Sequence, residues 1–276
     1  MLDEYLKTNL AWWDDVVGVH QGTEMYDVDG FRRGADSLNP VERDELGPLV
    51  GEGTTLLHLQ CHFGLDTLSW ARRGATVTGV DFSGKAMELA RRLADDVGLA
   101  RRATFIQSDV YDLPALLDAQ FDVVFTSWGA LNWLDDLERW ADVVASFVRP
   151  GGAFYLAEFH PVALLIDDRE HADELRLTYP YFQGREPLRL DEPGSYADPQ
   201  AHTDHTVTYE WQHGFAEILT PLLQRGLRLD YLHEFPFTRG LQMPFLEAGG
   251  DGWQRVKGGR SDIPLSFSLK MTKEGT

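Results

Sequence analysis

The chain has 276 residues, of which 43% are hydrophobic, 12% aromatic and 25% charged, and these proportions exclude disordered and fibrous chains. Its length fits one large domain or one domain with added cap segments. Because there are 25 Lys and Arg residues and 44 Asp and Glu residues, the net charge is −19, so neither nucleic acid nor an anionic membrane surface is expected as a partner. The single cysteine, Cys61, excludes a disulfide within the chain.

The N-terminal sequence MLDEYLKTNLAWWDD has acidic residues where a secretory signal has basic ones, and it contains no uninterrupted apolar stretch. The longest apolar runs, such as residues 162–166, are far shorter than the roughly 20 residues that a membrane-spanning helix needs. We therefore expect a soluble protein of the cytoplasm.

Strand and helix patterns alternate regularly over residues 54–160, the segment that we expect to form a cofactor-binding core. Apolar runs of strand length alternate with three segments of helical spacing, and Ser83 is suited to be the N-cap of one helix. Such alternation is typical of βαβ crossovers, so it predicts an α/β fold with an open, doubly wound, Rossmann-like sheet whose strands are mostly parallel. The predicted strands are 54–59, 75–80, 103–107, 121–126 and 153–159, and the predicted helices are 64–73, 83–97 and 135–148.

Two segments outside this core are expected to close over its binding side. Residues 1–53 are predicted to form a helical N-terminal cap, with one helix at 4–17 and another that begins at Pro40 after Asn39 as N-cap. Residues 161–213 form a long insertion after the fifth strand, rich in Pro, Asp, Glu, Tyr and Gly. A segment of that length and composition is typical of a lid or a substrate-binding loop.

The C-terminal residues 214–276 are expected to complete the same sheet. A helix is predicted at 215–225 and strands at 227–235 and 264–271, with a glycine-rich passage around 249–259 between the two strands. Because no good helix joins these strands, we expect an antiparallel pair at the sheet edge.

An acidic residue, Asp81, follows the second predicted strand, and the turn after the first strand has the sequence HLQCHFG at 58–64. Adjacent parallel strands end side by side, so a carboxylate at this position is placed to accept hydrogen bonds from the hydroxyl groups of a ribose. The alternative interpretation is that Asp81 only caps the helix that follows.

In this order, the motifs resemble those of the class I S-adenosylmethionine-dependent methyltransferases. The resemblance covers about residues 54–161, and the antiparallel final strand also fits that family. It rests on the turn 58–64, Asp81, Ser108-Asp109-Val110 at the end of the third strand, Phe121-Asp122-Val123-Val124 at the fourth, and Pro150-Gly151-Gly152 before the fifth.

The resemblance implies S-adenosylmethionine as the cofactor and S-adenosylhomocysteine as its product. By this resemblance, Gly64 and its neighbours would lie against the methionine portion, Asp81 would hold the ribose, and Phe82 would cover the adenine. Asp109 would accept a hydrogen bond from the adenine amino group. The full set of expected cofactor contacts is Gln60, His62, Gly64, Asp81, Phe82, Ser83, Asp109, Val110, Ser127, Trp128 and Tyr26.

The first loop departs from the family pattern. The family usually has an acid where this chain has His58, and glycines where it has Gln60 and His62. Side chains at these positions prevent the closest approach of the backbone to a ligand. We interpret the loop as a variant in which polar side chains replace some contacts, the alternative being a degenerate site that binds no cofactor. The spacing of His58, Cys61 and His62 is unsuited to a metal, and none is expected.

Methyl transfer is a direct displacement, so a base is needed only if the acceptor must lose a proton. His160, directly after the fifth strand, is the first candidate for that base, and His20 in the N-terminal cap is the second. The alternative for His160 is a turn histidine bonded to the backbone before Pro161. Aromatic residues that together predict a mostly apolar acceptor cavity are Trp12, Trp13, Tyr26, Trp128, Trp133, Tyr179, Tyr181 and Phe182.

The sequence thus predicts an enzyme that methylates a small organic acceptor at oxygen or nitrogen, with an apolar or aromatic acceptor body. A nicotinamide-dependent oxidoreductase is the alternative enzyme, although the chain lacks the G-x-G-x-x-G spacing that holds a pyrophosphate. A catalytically silent protein that binds a cofactor or another protein is the third possibility.

Overall fold

Eleven strands lie within residues 2–166, 175–241, 243–259 and 262–275, the parts of the chain that this computed structural model describes. Residues 167–174 of the predicted insertion lie outside the described residues. The strands are β1 (Thr55–Leu59), β2 (Thr76–Asp81), β3 (Ala103–Gln107), β4 (Phe121–Ser127), β5 (Val148–Phe159), β6 (Leu188–Asp191), β7 (Val207–Glu210), β8 (Leu227–Phe235), β9 (Leu246–Ala248), β10 (Gln254–Val256) and β11 (Ser266–Lys273).

Seven of these strands form the central sheet, in the order β3-β2-β1-β4-β5-β11-β8. Strands β1 to β5 are parallel, whereas β11 is antiparallel to both of its neighbours, β5 and β8. The predicted fold class is therefore confirmed, including the antiparallel C-terminal strand. The strand order reverses between β1 and β4, and ligands bind at such a switch point in doubly wound sheets.

Side chains of each buried strand point alternately to the two faces of the sheet, so both faces are apolar. Helices cover both of them. Leu57 and Leu59 of β1 pack in one core with Trp140, and Leu56 packs on the opposite face with Trp70. The helices are α1 (Leu2–Gln21), α2 (Val28–Arg32), α3 (Pro40–Glu45), α4 (Leu65–Arg72), α5 (Gly84–Asp96), α6 (Leu113–Leu116), α7 (Leu137–Phe147) and α8 (Phe215–Gln224).

The N-terminal helix α1 is joined to the insertion by a pair of hydrogen bonds. The side chain of Asn9 donates to the carbonyl of Tyr209 in β7 (2.8 Å) and accepts from its N–H (2.8 Å). Because Asn9 is almost fully buried, these bonds satisfy groups that water does not reach. The cap and the insertion are therefore in direct hydrogen-bonded contact.

The structure differs from the sequence prediction at four places. Helix α1 extends beyond 4–17 at both ends, and β5 begins at Val148, before the Pro-Gly-Gly turn, which forms an irregularity in the pairing with β4. The insertion contains the antiparallel pair β6 and β7, and a further antiparallel pair is formed by β9, just before the glycine-rich passage, and β10 within it. Strands of three or four residues are too short for their alternation to stand out in a sequence. Among the residues described, no helix combines the length and apolar character that crossing a membrane requires.

Candidate active site

A cavity of about 1410 Å³ opens at the carboxyl ends of β1, β2 and β4. Its walls come from the loops after these strands, from the N-terminal cap, from the insertion and from residues 239–244. The segments that were expected to lie over the binding side therefore contribute directly to the cavity.

The loop after β1 has an unusual backbone for its sequence. Gln60, His62 and Gly64 all have positive φ angles, of 56°, 50° and 78°. Residues with side chains rarely adopt this left-handed region, which glycine adopts freely. At Gly64 a side chain is excluded, because a Cβ would lie 2.6 Å from Cε1 of Phe105. The loop therefore keeps a backbone path that suits glycine, although two of the three positions carry side chains.

The side chain of Gln60 ties this loop to the segment after β4. Its Nε2 donates to the carbonyl of Ala130 (2.8 Å), which fixes the orientation of the amide, and its Oε1 is buried without a partner among the described residues. An unpaired buried acceptor is costly, so this atom is suited to receive a donor from a bound ligand.

Asp81 braces the same loop from the end of β2. Its Oδ2 accepts from the backbone N–H of His62 (2.9 Å) and its Oδ1 from that of Ser83 (3.0 Å). Burial raises the pKa of the Asp81 carboxyl to about 6. Each carboxylate oxygen can accept a further hydrogen bond, and the residue lines the cavity. Asp81 thus organises the loop and also offers acceptors to a ligand.

Most of the predicted adenine-side residues line the cavity, but Ser83 does not. Phe82, Asp109 and Val110 line it, and Oδ1 of Asp109 also accepts from the N–H of Tyr111 (2.9 Å). Burial raises the pKa of Asp109. The cofactor contact of Ser83 stays a prediction, and its buried hydroxyl already makes two hydrogen bonds within the protein. Its Oγ accepts from the N–H of Ala86 (3.0 Å) as the N-cap of α5, and it donates to Oδ1 of Asp14 in α1 (2.5 Å).

The exit of β4 is held by two buried acids that the sequence analysis did not identify. Ser127 and Trp128 line the cavity as predicted, and Nε1 of Trp128 donates to Oε1 of Glu42 (2.5 Å). The carboxylate of Glu158 accepts the backbone N–H groups of residues 129–131 at 2.5, 2.8 and 3.2 Å. Burial raises the pKa of both acids. Glu158 was missed because one acid inside an apolar strand gives no sequence signal of its contacts.

A third missed acid, Asp66, lies in the first turn of α4 and lines the cavity. The hydroxyl of Ser37 donates to its Oδ1 (2.6 Å), and burial raises its pKa to about 6. Arg239, whose Nη1 donates to Oδ1 of Asn39 (3.0 Å), lines the cavity nearby. The site therefore carries charged groups from elements far apart in the sequence.

Three tryptophans form an aromatic wall, which consists of Trp12, Trp13 and Trp133. The rings of Trp12 and Trp133 are stacked with centroids 5.7 Å apart, and Trp13 meets Trp133 edge-on at 5.2 Å. Tyr26 and Tyr179 also line the cavity as predicted, and the hydroxyl of Tyr26 is hydrogen-bonded to that of Tyr196 in the insertion.

Two of the aromatic residues predicted to form the acceptor pocket do not line the cavity. Phe182 is 89% exposed, and the hydroxyl of Tyr181 accepts from the N–H of Phe215. Of the three aromatic residues predicted in the insertion, Tyr179 thus lines the cavity and the other two do not.

The first candidate base, His160, is buried in a turn and does not line the cavity. Its Nδ1 accepts from the N–H of Val162 (3.0 Å), so its Nε2 carries the proton and donates to Oε1 of Glu234 (2.8 Å). Burial lowers its pKa although Glu234 opposes this shift. Both ring nitrogens are therefore engaged within the protein, as in the alternative interpretation of a turn histidine.

The second candidate base, His20, is fully buried behind His62. Its Nδ1 lies 2.9 Å from Nε2 of His62, and it does not line the cavity itself. Of the histidines in this pair, His62 is the one that lines the cavity. In the described part of the chain, no group of three or more His, Cys, Asp and Glu side chains is arranged to hold a metal ion.

Comparisons with known proteins agree with this architecture. The family described as Methyltransferase domain matches residues 57–156. A ubiquinone biosynthesis O-methyltransferase from Actinobacillus pleuropneumoniae is 27% identical over 160 residues, which are 56% of this chain and 62% of that protein. The chain therefore spans less than two thirds of the length of this curated relative.

Solved structures share the fold at low sequence identity. An S-adenosylmethionine-dependent methyltransferase from Mesorhizobium loti superposes with a TM-score of 0.53 at 22% identity, covering 87% of this chain and 99% of that chain. Geranyl diphosphate C-methyltransferase from Streptomyces coelicolor, in complex with Mg²⁺, geranyl diphosphate and S-adenosylhomocysteine, gives 0.52 at 13% identity and covers 84% of this chain and 78% of that chain.

The matched segment 57–156 contains the strands β1, β2 and β4 whose ends form the cavity. The mostly parallel sheet and the antiparallel β11 are those expected from the resemblance. Residues 57–156 thus match the family described as Methyltransferase domain, and the fold is shared with a solved S-adenosylmethionine-dependent methyltransferase.

Proposed function

We propose that this chain transfers a methyl group from S-adenosylmethionine to a small organic acceptor, at oxygen or nitrogen, by direct displacement. The observation that carries the proposal is a single cavity lined by two kinds of residue. Gly64, Asp81 and Asp109 line it at the strand exits, and the aromatic wall lines it as well. A cofactor and an acceptor thus have space to meet within one enclosure.

The residues at the strand exits fit the proposed cofactor. Asp81 has acceptor capacity left for ribose hydroxyls, and Phe82 and Val110 offer apolar surface for a base. The unpaired Oε1 of Gln60 is suited to accept from the ammonium group of the methionine portion. This atom supports the interpretation that a polar side chain replaces the acid absent at His58.

In this mechanism the cofactor supplies a methyl group carried on a sulfonium. The protein's part is to align the acceptor with that methyl group and to exclude water. The aromatic wall provides apolar surface for the body of the acceptor, and an aromatic face also stabilises a nearby cation. Glu158 holds the segment after β4 through three backbone N–H groups, so this part of the cavity is rigid.

The proposal does not depend on a base at His160 or His20, because neither lines the cavity. Positioning alone therefore has to account for the rate, or the acceptor has to arrive in its reactive protonation state. The curated relative is an O-methyltransferase by name, which favours an oxygen acceptor in a small molecule. A cytoplasmic location and the absence of a nucleic-acid partner are also proposed, on the net charge of −19 and the single cysteine.

Calorimetric titration tests the cofactor, with S-adenosylhomocysteine and reduced nicotinamides as ligands. We expect binding of the former alone, and binding of the nicotinamides alone would replace the proposal with the oxidoreductase. Incubation with S-adenosylmethionine and a metabolite library, followed by mass spectrometry, tests the reaction. Binding without any methylated product would favour the catalytically silent protein.

A further inference from the structure

Three polar side chains form a hydrogen-bonded series from the insertion to the cavity. Oγ of Ser195 lies 3.2 Å from Nε2 of His20, and Nδ1 of His20 lies 2.9 Å from Nε2 of His62. Ser195 and His20 are buried, whereas His62 is half-buried and lines the cavity. The series therefore joins the insertion, α1 and the loop after β1.

The backbone around Ser195 decides the direction of the first hydrogen bond. Its Oγ accepts from the N–H groups of Ala197 (3.2 Å) and Asp198 (3.3 Å). A hydroxyl has two lone pairs and one proton, so these contacts use the lone pairs and leave the proton to donate. The acceptor for that proton is Nε2 of His20.

The direction of the first bond fixes the next two proton positions. A neutral imidazole has one N–H donor and one acceptor nitrogen. Because Nε2 of His20 accepts, its proton is on Nδ1, which donates to Nε2 of His62. The proton of neutral His62 is therefore on Nδ1.

The surroundings keep both rings neutral and in place. Burial lowers the pKa of His20 to about 3, and burial together with His20 lowers the pKa of His62. Tyr26 stacks on the His20 ring at 4.9 Å, and Trp13 meets the His62 ring edge-on at 5.2 Å. Among the described residues, Nδ1 of His62 has no hydrogen-bond partner, and it is not enclosed by protein.

We propose that Ser195 and His20 are positioning residues that hold His62 as a neutral Nδ1–H donor toward the cavity. Its ligand is an oxygen atom, which belongs either to the carboxylate of the methionine portion of the cofactor or to the acceptor. The inference rests on the proposed function for the identity of this ligand. The proton positions rest on the hydrogen-bond geometry and on the burial of the two rings, and they are independent of the proposed function.

Nitrogen NMR of ¹⁵N-histidine-labelled protein tests the proton positions without any ligand. Signals are assigned by loss in His20→Gln and His62→Gln. We expect both rings as the Nδ1–H tautomer at pH 7, and a mixture of tautomers at His20 in Ser195→Ala. Ser146→Ala, which alters a hydroxyl bonded to the carbonyl of Val143 far from the series, is the matched control and should leave both signals unchanged. An Nε2–H tautomer at His62, or no change in Ser195→Ala, overturns the proposal.

A second experiment identifies the oxygen that His62 binds. His62→Phe keeps a ring but removes the donor, and His202→Phe, at a side chain that is 91% exposed, is the control. A rise in the Kd of S-adenosylhomocysteine by about 10-fold or more assigns the donor to the cofactor. An unchanged Kd with a similar rise in the KM of the acceptor assigns it to the acceptor. If neither constant changes, the donor role is wrong. Failure of the proposed function is separate, because wild-type protein would then bind no S-adenosylhomocysteine while its tautomers remained as described.

Discussion

At the scale of single residues, Asp81 has two roles, one in bracing the backbone and one at the cavity. Its carboxylate accepts from the N–H of Ser83 at the start of α5, and it also lines the cavity. The helix cap itself is Ser83. A carboxylate with both roles is sensitive to loss of charge more than to loss of shape.

Asp81→Asn is therefore expected to weaken the binding of S-adenosylhomocysteine by about 1.5 to 3 kcal/mol, the usual cost of losing hydrogen bonds to a charged group. Calorimetry measures the change, and circular dichroism checks that the variant is folded. Asp95→Asn, at an exposed acid near the end of α5, is the control and should bind as the wild type does. Equal affinities of the two variants would contradict the role of Asp81.

His160→Gln is expected to keep the wild-type turnover, because His160 does not line the cavity and both its ring nitrogens are bonded. The free energy of unfolding should fall by about 1 to 3 kcal/mol, since the bonds to Val162 and Glu234 are lost or distorted. Chemical denaturation and steady-state kinetics measure the two quantities. A large loss of turnover in a stable variant would restore His160 as a base.

At the scale of elements, the pairing of α1 with β7 decides how the cavity is closed. Asn9 makes both bonds of this pairing to Tyr209. The contacts of Ser195 and Tyr196 with His20 and Tyr26 add a second junction between the same segments. A third junction is made by Asp15 in α1, whose Oδ2 accepts from the backbone N–H of His205 (2.9 Å).

Asn9→Ala is expected to increase amide hydrogen exchange in β6 and β7, because it removes the partners of the backbone N–H and carbonyl of Tyr209. Thr8→Ala is the control, since the hydroxyl of Thr8 bonds only the carbonyl of Glu4 within α1. Mass spectrometry of exchange follows peptides from 188–210. Exchange equal to the control would mean that the other junctions hold the insertion without Asn9.

The elements of the core could be predicted because each strand is long enough to show its period and each helix has its own signals. Ser83 as N-cap of α5 is one such local signal that is confirmed. The contacts of Glu158, Asp66 and His20 could not be predicted, because their partners are brought near only by the sheet topology. Local patterns specify elements, whereas these side-chain contacts depend on tertiary packing.

At the scale of the whole molecule, acid stability depends on histidines that are buried without charge. Burial lowers the pKa of His58 and of His20 to about 3 each, below the value near 6.5 of an unfolded chain. Between about pH 6.5 and pH 3, these histidines take up protons in the unfolded state but not in the native state. Stability is therefore present above about pH 6.5 and is lost as the pH falls toward 3.

His58→Gln is expected to make this loss less steep, by at most about 1.4 kcal/mol per pH unit for one proton. Asp66 and Asp81, whose pKa values of about 6 are raised, act in the opposite direction, since their contribution is lost as the pH rises from about 4 to 6. Subtracting the unfolding free energy of the wild type from that of the variant at each pH cancels this opposing contribution. Parallel curves of unfolding free energy against pH would show that His58 is protonated in the native state.

The backbone of the loop after β1 determines what a glycine substitution there would change. A glycine at Gln60 or His62 would relieve a left-handed conformation that costs about 1 to 2 kcal/mol in a residue with a Cβ. It would also delete the bond to Ala130 or the bond to His20. Each position thus combines a strained backbone with a side-chain contact, and a glycine variant would lose both together.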